Sequence, residues 1–124
     1  MDWYYPVLAG VLPTSQARTR LRGRWQEFVA EDWGARCVAD EPWVTVAKTC
    51  ELAMALVRAG QLAQAADLLA WVQRFRDGDG AFWTGGRTAD GIVWPEEKPT
   101  WTSAAVIMAA AALGRNPAVS QVFG

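Results

Sequence analysis

The sequence predicts an all-α fold built from helical hairpin repeats, and three observations carry that prediction. Apolar residues recur at helical spacing along most of the chain. Two of the helical stretches open alike, with a proline and a tryptophan in the first turn, at Pro42-Trp43 and at Pro99-Thr100-Trp101. A glycine–aspartate turn carrying an aromatic, Asp77-Gly78-Asp79-Gly80 followed by Trp83, stands between the last two helices.

The elements follow in order. Asp2-Trp3-Tyr4-Tyr5-Pro6 opens a short apolar helix over about 6–12, and Pro13 stops it. Three aromatics at a helix start with no lead-in suggest a domain met partway along. Thr14 or Ser15 caps a second helix over about 15–32. Its apolar stripe is Leu21, Trp25, Phe28 and Val29, at i, i+4, i+7 and i+8. Arg18, Arg20, Arg22 and Arg24 alternate, which spreads them around the helix as a solvated surface rather than gathering a phosphate site.

A third helix is expected over about 42–59, opened by Pro42 after Asp40 and Glu41 and stopped by Gly60. Val46, Cys50, Ala53 and Val57 form one apolar strip, widened by Trp43, Ala47 and Met54, so this helix is buried on more than one side. A fourth covers about 61–75, with Leu62, Ala65, Ala66, Leu69 and Val72. The 23-residue connection Asp77–Pro99 holds five glycines, and a loop that long is functional or packs on itself. Pro99 opens a fifth helix, to Leu113. Moving Pro42 onto Pro99, 57 positions on, brings Thr45 onto Thr102, Ala47 onto Ala104, Ala53 onto Ala110 and Leu56 onto Leu113.

The bulk numbers bound the function. At 124 residues the chain is one domain, 1–124, and 52% apolar composition excludes disorder. The net charge of −1 gives no field that would gather nucleic acid. The longest apolar run, Ala104–Leu113, is ten residues, too short for a transmembrane segment. Cys37 and Cys50 read as reduced thiols of a cytoplasmic protein, Cys50 as part of the core. The chain has no histidine, which removes Ser-His-Asp and Cys-His chemistry within it. No cofactor and no metal site are expected. Eight tryptophans exceed what a small core needs and suggest a ring-lined concave surface.

These features resemble the prenyltransferase and squalene-cyclase repeat superfamily. The residues that carry the resemblance are Gln73, Asp79-Gly80 and Trp83, matching a glutamine, Asp-Gly and aromatic repeat signature, together with Glu41-Pro42-Trp43-Val44-Thr45 and the run from Trp94-Pro95-Glu96-Glu97 to Thr100-Trp101-Thr102-Ser103. The resemblance implies a terpenoid-cyclase-like α/α toroid segment of about five helices that binds an apolar or isoprenoid ligand. Gln73, Asp79, Gly80 and Trp83 would clasp the fold. The superfamily's Asp-x-Asp-Asp acid is absent, and without histidine its zinc site cannot be completed. Five helices do not close a toroid, so upstream repeats or a homo-oligomer would complete the wall.

If a site exists, it lies where the inner helices begin. Trp3, Tyr4, Tyr5, Trp43, Trp94 and Trp101 are the candidate ligand-binding aromatics, and Asp40, Glu41, Glu96 and Glu97 the candidate catalytic acids. Ring faces stabilise a carbocation, and a carboxylate against an apolar wall acts as general acid. The bland alternative has these acids capping helices in water. Tryptophan beside acids equally suits a sugar, which makes an (α/α)-barrel carbohydrate-active protein the second reading. A non-catalytic helical-repeat interaction module is the third.

Overall fold

The computed structural model describes residues 3–37, 43–88, 91, 93 and 97–114. The described residues form α1 (Tyr5–Leu8), α2 (Thr14–Gly23), α3 (Trp25–Phe28), β1 (Val29–Ala30), β2 (Gly34–Ala35), β3 (Trp43–Thr45), α4 (Val46–Arg58), α5 (Leu62–Val72), β4 (Gly85–Arg87) and α6 (Thr100–Gly114). A 3-10 turn, Gln73–Phe75, extends α5. The fold is therefore mixed, and the all-α toroid expectation is corrected. Two antiparallel two-stranded sheets, β1–β2 and β3–β4, interrupt the helices.

Each sheet has a local cause. Helix 15–32 breaks at Arg24, whose φ of −125° and ψ of 17° leave the helical region. Beyond Phe28 the chain turns back through Asp32, at φ +66°, and pairs Val29 with Ala35 and Ala30 with Gly34. Gly34 packs on α4: a Cβ there would collide with the Thr49 side chain, and Ala35 N donates to Thr49 Oγ1 at 2.9 Å. The expected helix 42–59 starts late for a similar reason. Trp43-Val44-Thr45 prefers the extended region, as its aromatic and β-branched residues do. Thr45 then caps α4, accepting from Lys48 N at 3.3 Å.

Within the long connection, β4 pairs with β3 in the register Trp43↔Arg87, Val44↔Gly86 and Thr45↔Gly85. Gly85 lies so close to β3 that a Cβ would strike the Val44 carbonyl. The bridges Arg36↔Val44 and Gly86↔Val93 extend the pairing on both sides.

Helix α4 is the centre of the packing. It contacts α1, α5 and α6, and Val46, Cys50, Leu52, Ala53, Ala55 and Leu56 are wholly buried. The alanines let neighbouring helices approach closely. It stops at Gly60, φ +76°, with Gln61 N donating to Leu56 O at 2.8 Å, the left-handed C-terminal cap that the glycine signals. Helix α6 buries Thr102, Val106 and Ala109 but leaves Trp101, Ile107 and Met108 exposed.

Candidate functional site

The start of α1 and the first half of α4 bring together a cluster of two tyrosines, a lysine and a glutamate. Tyr4 just precedes α1 and is fully buried, and its phenol donates to Glu51 Oε2 at 2.5 Å. Lys48, one turn before Glu51, donates from Nζ to Tyr5 Oη at 2.8 Å. Its ammonium also lies 3.9 Å from Glu51 Oε2 and 5.2 Å from the Tyr5 ring centre. The two tyrosine rings meet edge to face at 5.0 Å. Tyr4 sits in the core while its neighbour Tyr5, 39% exposed, faces outward.

The electrostatics follow from this packing. Burial raises the Tyr4 phenol far above the usual tyrosine value, and the bond to Glu51 and its charge raise it further. Tyr4 is thus a fixed, neutral donor. Burial lowers the Lys48 ammonium, but the hydrogen bond to Tyr5 and the charge of Glu51 outweigh it, and its pKa is raised. Cys50, on the same turn, has its thiol pushed up to about 12 by burial and by the neighbouring Glu51 charge. It is an inert core thiol, and both cysteines are unpaired. Glu51 is the half-buried acid of the group, with Oε2 engaged and Oε1 without a partner among the described residues.

Thr84 ties two of the expected helix starts together. Val46 N, opening α4, donates to Thr84 O at 2.9 Å, while Thr84 N and Oγ1 donate to Glu97 O at 2.9 and 3.2 Å. The run-in to α6 is thereby fixed against the start of α4. Glu97 itself is exposed. Asp40, Glu41, Trp94 and Glu96 lie outside the described residues.

The remaining sequence candidates take varied places. Trp3 is 2% exposed and stacked on Phe28 at 5.5 Å, with Nε1 donating to Arg20 O. Trp43 is half-buried in β3, and Trp101 is 64% exposed on the first turn of α6. Gln73 donates to Leu69 O, within its own helix, at 3.2 Å. Asp79 and Gly80 make the turn, with Gly80 at φ +88° and Ala81 N donating to Asp79 Oδ1. Lys98 Nζ closes that turn onto Asp77 and Asp79 at 2.7 and 2.8 Å and lies 5.0 Å from the Trp83 ring. Lys98 first, and then backbone amides, lower both aspartate pKa values, and the hydrogen bonds to the two aspartates raise that of Lys98. Lys48 and Glu51 were missed because a lysine and a glutamate three apart on a helix look like an ordinary solvated pair.

Among the described residues no group of histidine, cysteine, aspartate and glutamate could hold a metal ion, and no helix is long and apolar enough to cross a membrane. No family model matches the chain. The chain is 48% identical over 123 residues to the MMP endo-(1,4)-3-O-methyl-alpha-D-mannosidase of Mycolicibacterium hassiacum, a match that takes in 99% of this chain and 34% of that protein. The chain thus spans about a third of the length of the curated relative it matches. This likeness to a glycoside hydrolase overturns the resemblance to prenyltransferases and squalene cyclases, and with it the transferase and isoprenoid expectations. It sides with the carbohydrate reading that the tryptophans and acids had left as second choice.

Proposed function

We propose that this chain belongs to a glycan-cleaving machinery and that Glu51 is one of its working carboxylates. The observation that carries the reading is the 48% identity, along nearly the whole chain, to an enzyme named for hydrolysing a 3-O-methyl-α-mannoside linkage. The geometry around Glu51 supports it. Glycoside hydrolysis uses two carboxyl groups on either side of the scissile bond, one protonating the leaving oxygen and the other acting as base or nucleophile. A carboxylate doing the second task must be held in place at an edge that a sugar reaches. Tyr4 Oη fixes Oε2 of Glu51, and Oε1 remains for water or for the sugar.

The second carboxyl group comes from Asp40, Glu41, Glu96 or Glu97, the acids that precede α4 and α6 in the chain. The exposed rings of Tyr5 and Trp101 offer faces on which a pyranose stacks. The substrate in this reading is an α-(1,4)-linked oligosaccharide of 3-O-methyl-D-mannose. The protein is incubated with that oligosaccharide, and new reducing ends are followed by mass spectrometry. Internal cleavage is the expected result. An intact oligosaccharide after exhaustive incubation with folded protein rejects the reading.

A further inference from the structure

A groove of about 430 Å³ opens on another part of the surface, between the α2–α3 segment and the start of α5. Its volume is in the range of small-ligand sites. Arg18, Arg22 and Gln26, spaced i, i+4 and i+8, line one wall, while Gln61 and Gln64 line the other. Leu21, 2% exposed, and half-buried Trp25 also line it, so apolar surface lies beside the polar walls.

Two features show that the groove is held in shape. Arg18 crosses from α2 to the end of α4, its Nε donating to Ala59 O at 2.7 Å. The guanidinium passes close over Gly60, where a Cβ would lie 2.8 Å from Arg18 Nη2. Trp25 is braced edge-on against Trp3 at 6.3 Å and 73°. By contrast, the side chains of Arg22, Gln26, Gln61 and Gln64 have no hydrogen-bond partner among the described residues. The groove therefore presents three amides and a guanidinium around an indole, with no carboxylate among the described residues of its lining.

We infer that this groove is a saccharide subsite, distinct from the Glu51 cluster, that takes an O-methylated hexose. The inference rests on the glycan-cleaving reading above. A pyranose has one face of C–H groups, which packs on an indole, and a rim of hydroxyls, which pairs with amides and guanidinium. An O-methyl group adds apolar surface, and the half-buried indole of Trp25 provides the matching wall. Arg22 and the three glutamines supply donors and acceptors to the remaining hydroxyls. Such a subsite grips a long chain away from the bond being cut.

The test is a titration of the protein with methyl 3-O-methyl-α-D-mannopyranoside, read by the indole N–H resonances in a ¹⁵N–¹H spectrum. The Trp25 resonance is expected to move with saturation. Arg22→Ala and Gln64→Ala, both at exposed positions, are expected to weaken binding about ten-fold each, with the rest of the spectrum unchanged. Trp25→Ala, which has no Trp25 resonance to follow, should show no binding by calorimetry. Glu51→Gln should leave the titration as it is while removing hydrolysis, and the parent separates the two proposals: sugar binding by the parent without cleavage leaves the groove standing and sinks the hydrolase. Cleavage with an unmoved Trp25 resonance overturns the groove. A response to inorganic phosphate but not to the sugar overturns it as well, and so do Arg22→Ala and Gln64→Ala variants that bind like the parent.

Discussion

Tyr4 Oη donates to the carboxylate of Glu51 at 2.5 Å, joining the chain's first turn to the middle of its central helix across 47 residues. The donor is fully buried and the acceptor half-buried, so the bond works in a medium that strengthens it. It is at once a tie between α1 and α4 and the feature that orients the carboxylate.

Removing the donor tests the tie. Tyr4→Phe keeps the ring and leaves Glu51 Oε2 without its phenol. A hydrogen bond to a charged group contributes about 1.5–3 kcal/mol, and urea unfolding of the variant should show a loss of that order. A variant as stable as the parent would show that the bond contributes nothing.

The same residue predicts an alkaline limb. Tyr4 is raised in the folded chain, so its contribution is complete below the ordinary tyrosine value of about 10 and is lost as pH rises beyond it. There the unfolded chain sheds the proton and the folded chain keeps it. Stability measured from pH 8 to 11 should fall above pH about 10, and the fall should be shallower in Tyr4→Phe.

The Asp77–Asp79–Lys98 turn predicts an acid limb of opposite sign. Both aspartates are lowered in the folded chain, chiefly by Lys98, so their contribution is present above the ordinary aspartate value of about 3.9 and is lost as pH falls through their lowered values. Carbon-detected titration should find both carboxyls below that value in the parent and moved back toward it in Lys98→Ala. Unchanged carboxyl titration in the variant would remove Lys98 as the cause.

Gly85 tests the β3–β4 pairing. Gly85→Ala places a methyl group against the Val44 carbonyl, where a backbone atom cannot give way. A cost of about 3 kcal/mol or more is expected, seen as a lowered midpoint in thermal unfolding. Gly78→Ala is the control, because nothing lies within 4 Å of its added Cβ. Equal effects at the two positions would contradict the register.

Much of the helical framework was legible, and the reasons are local. Gly60 stops α4 and Pro99 precedes α6 because these residues act through their own backbone geometry. Asp79-Gly80 likewise announced its turn. The strands were hidden. Val29 continued the helical stripe from Leu21, so its β pairing looked like one more helical turn. Trp43-Val44-Thr45 ran straight into the apolar strip of α4. Gly85-Gly86-Arg87 has no alternating apolar side chains, and Gly85 is explained only by its close approach to the Val44 backbone.

The site was legible in part. Tyr4 and Tyr5 drew notice as neighbouring aromatics, but sequence gives no sign that one turns inward and the other outward. Glu51 gained its meaning only when Tyr4 came from 47 positions away. Trp3, grouped with them by sequence, packs on Phe28 and Trp25 inside the core.

Whether Glu51 is a working carboxylate is read from hydrolysis of the α-(1,4)-linked 3-O-methyl-D-mannose oligosaccharide by the parent, Glu51→Gln and Tyr4→Phe. Glu51→Gln is expected to lose at least about 100-fold in rate while keeping its fold, as removal of a positioned proton-transfer or nucleophilic group does. Tyr4→Phe, which removes only the positioning bond, should lose less and shift the pH–rate profile. Glu51→Gln cleaving at the parent's rate would show that this carboxylate takes no part in cleavage.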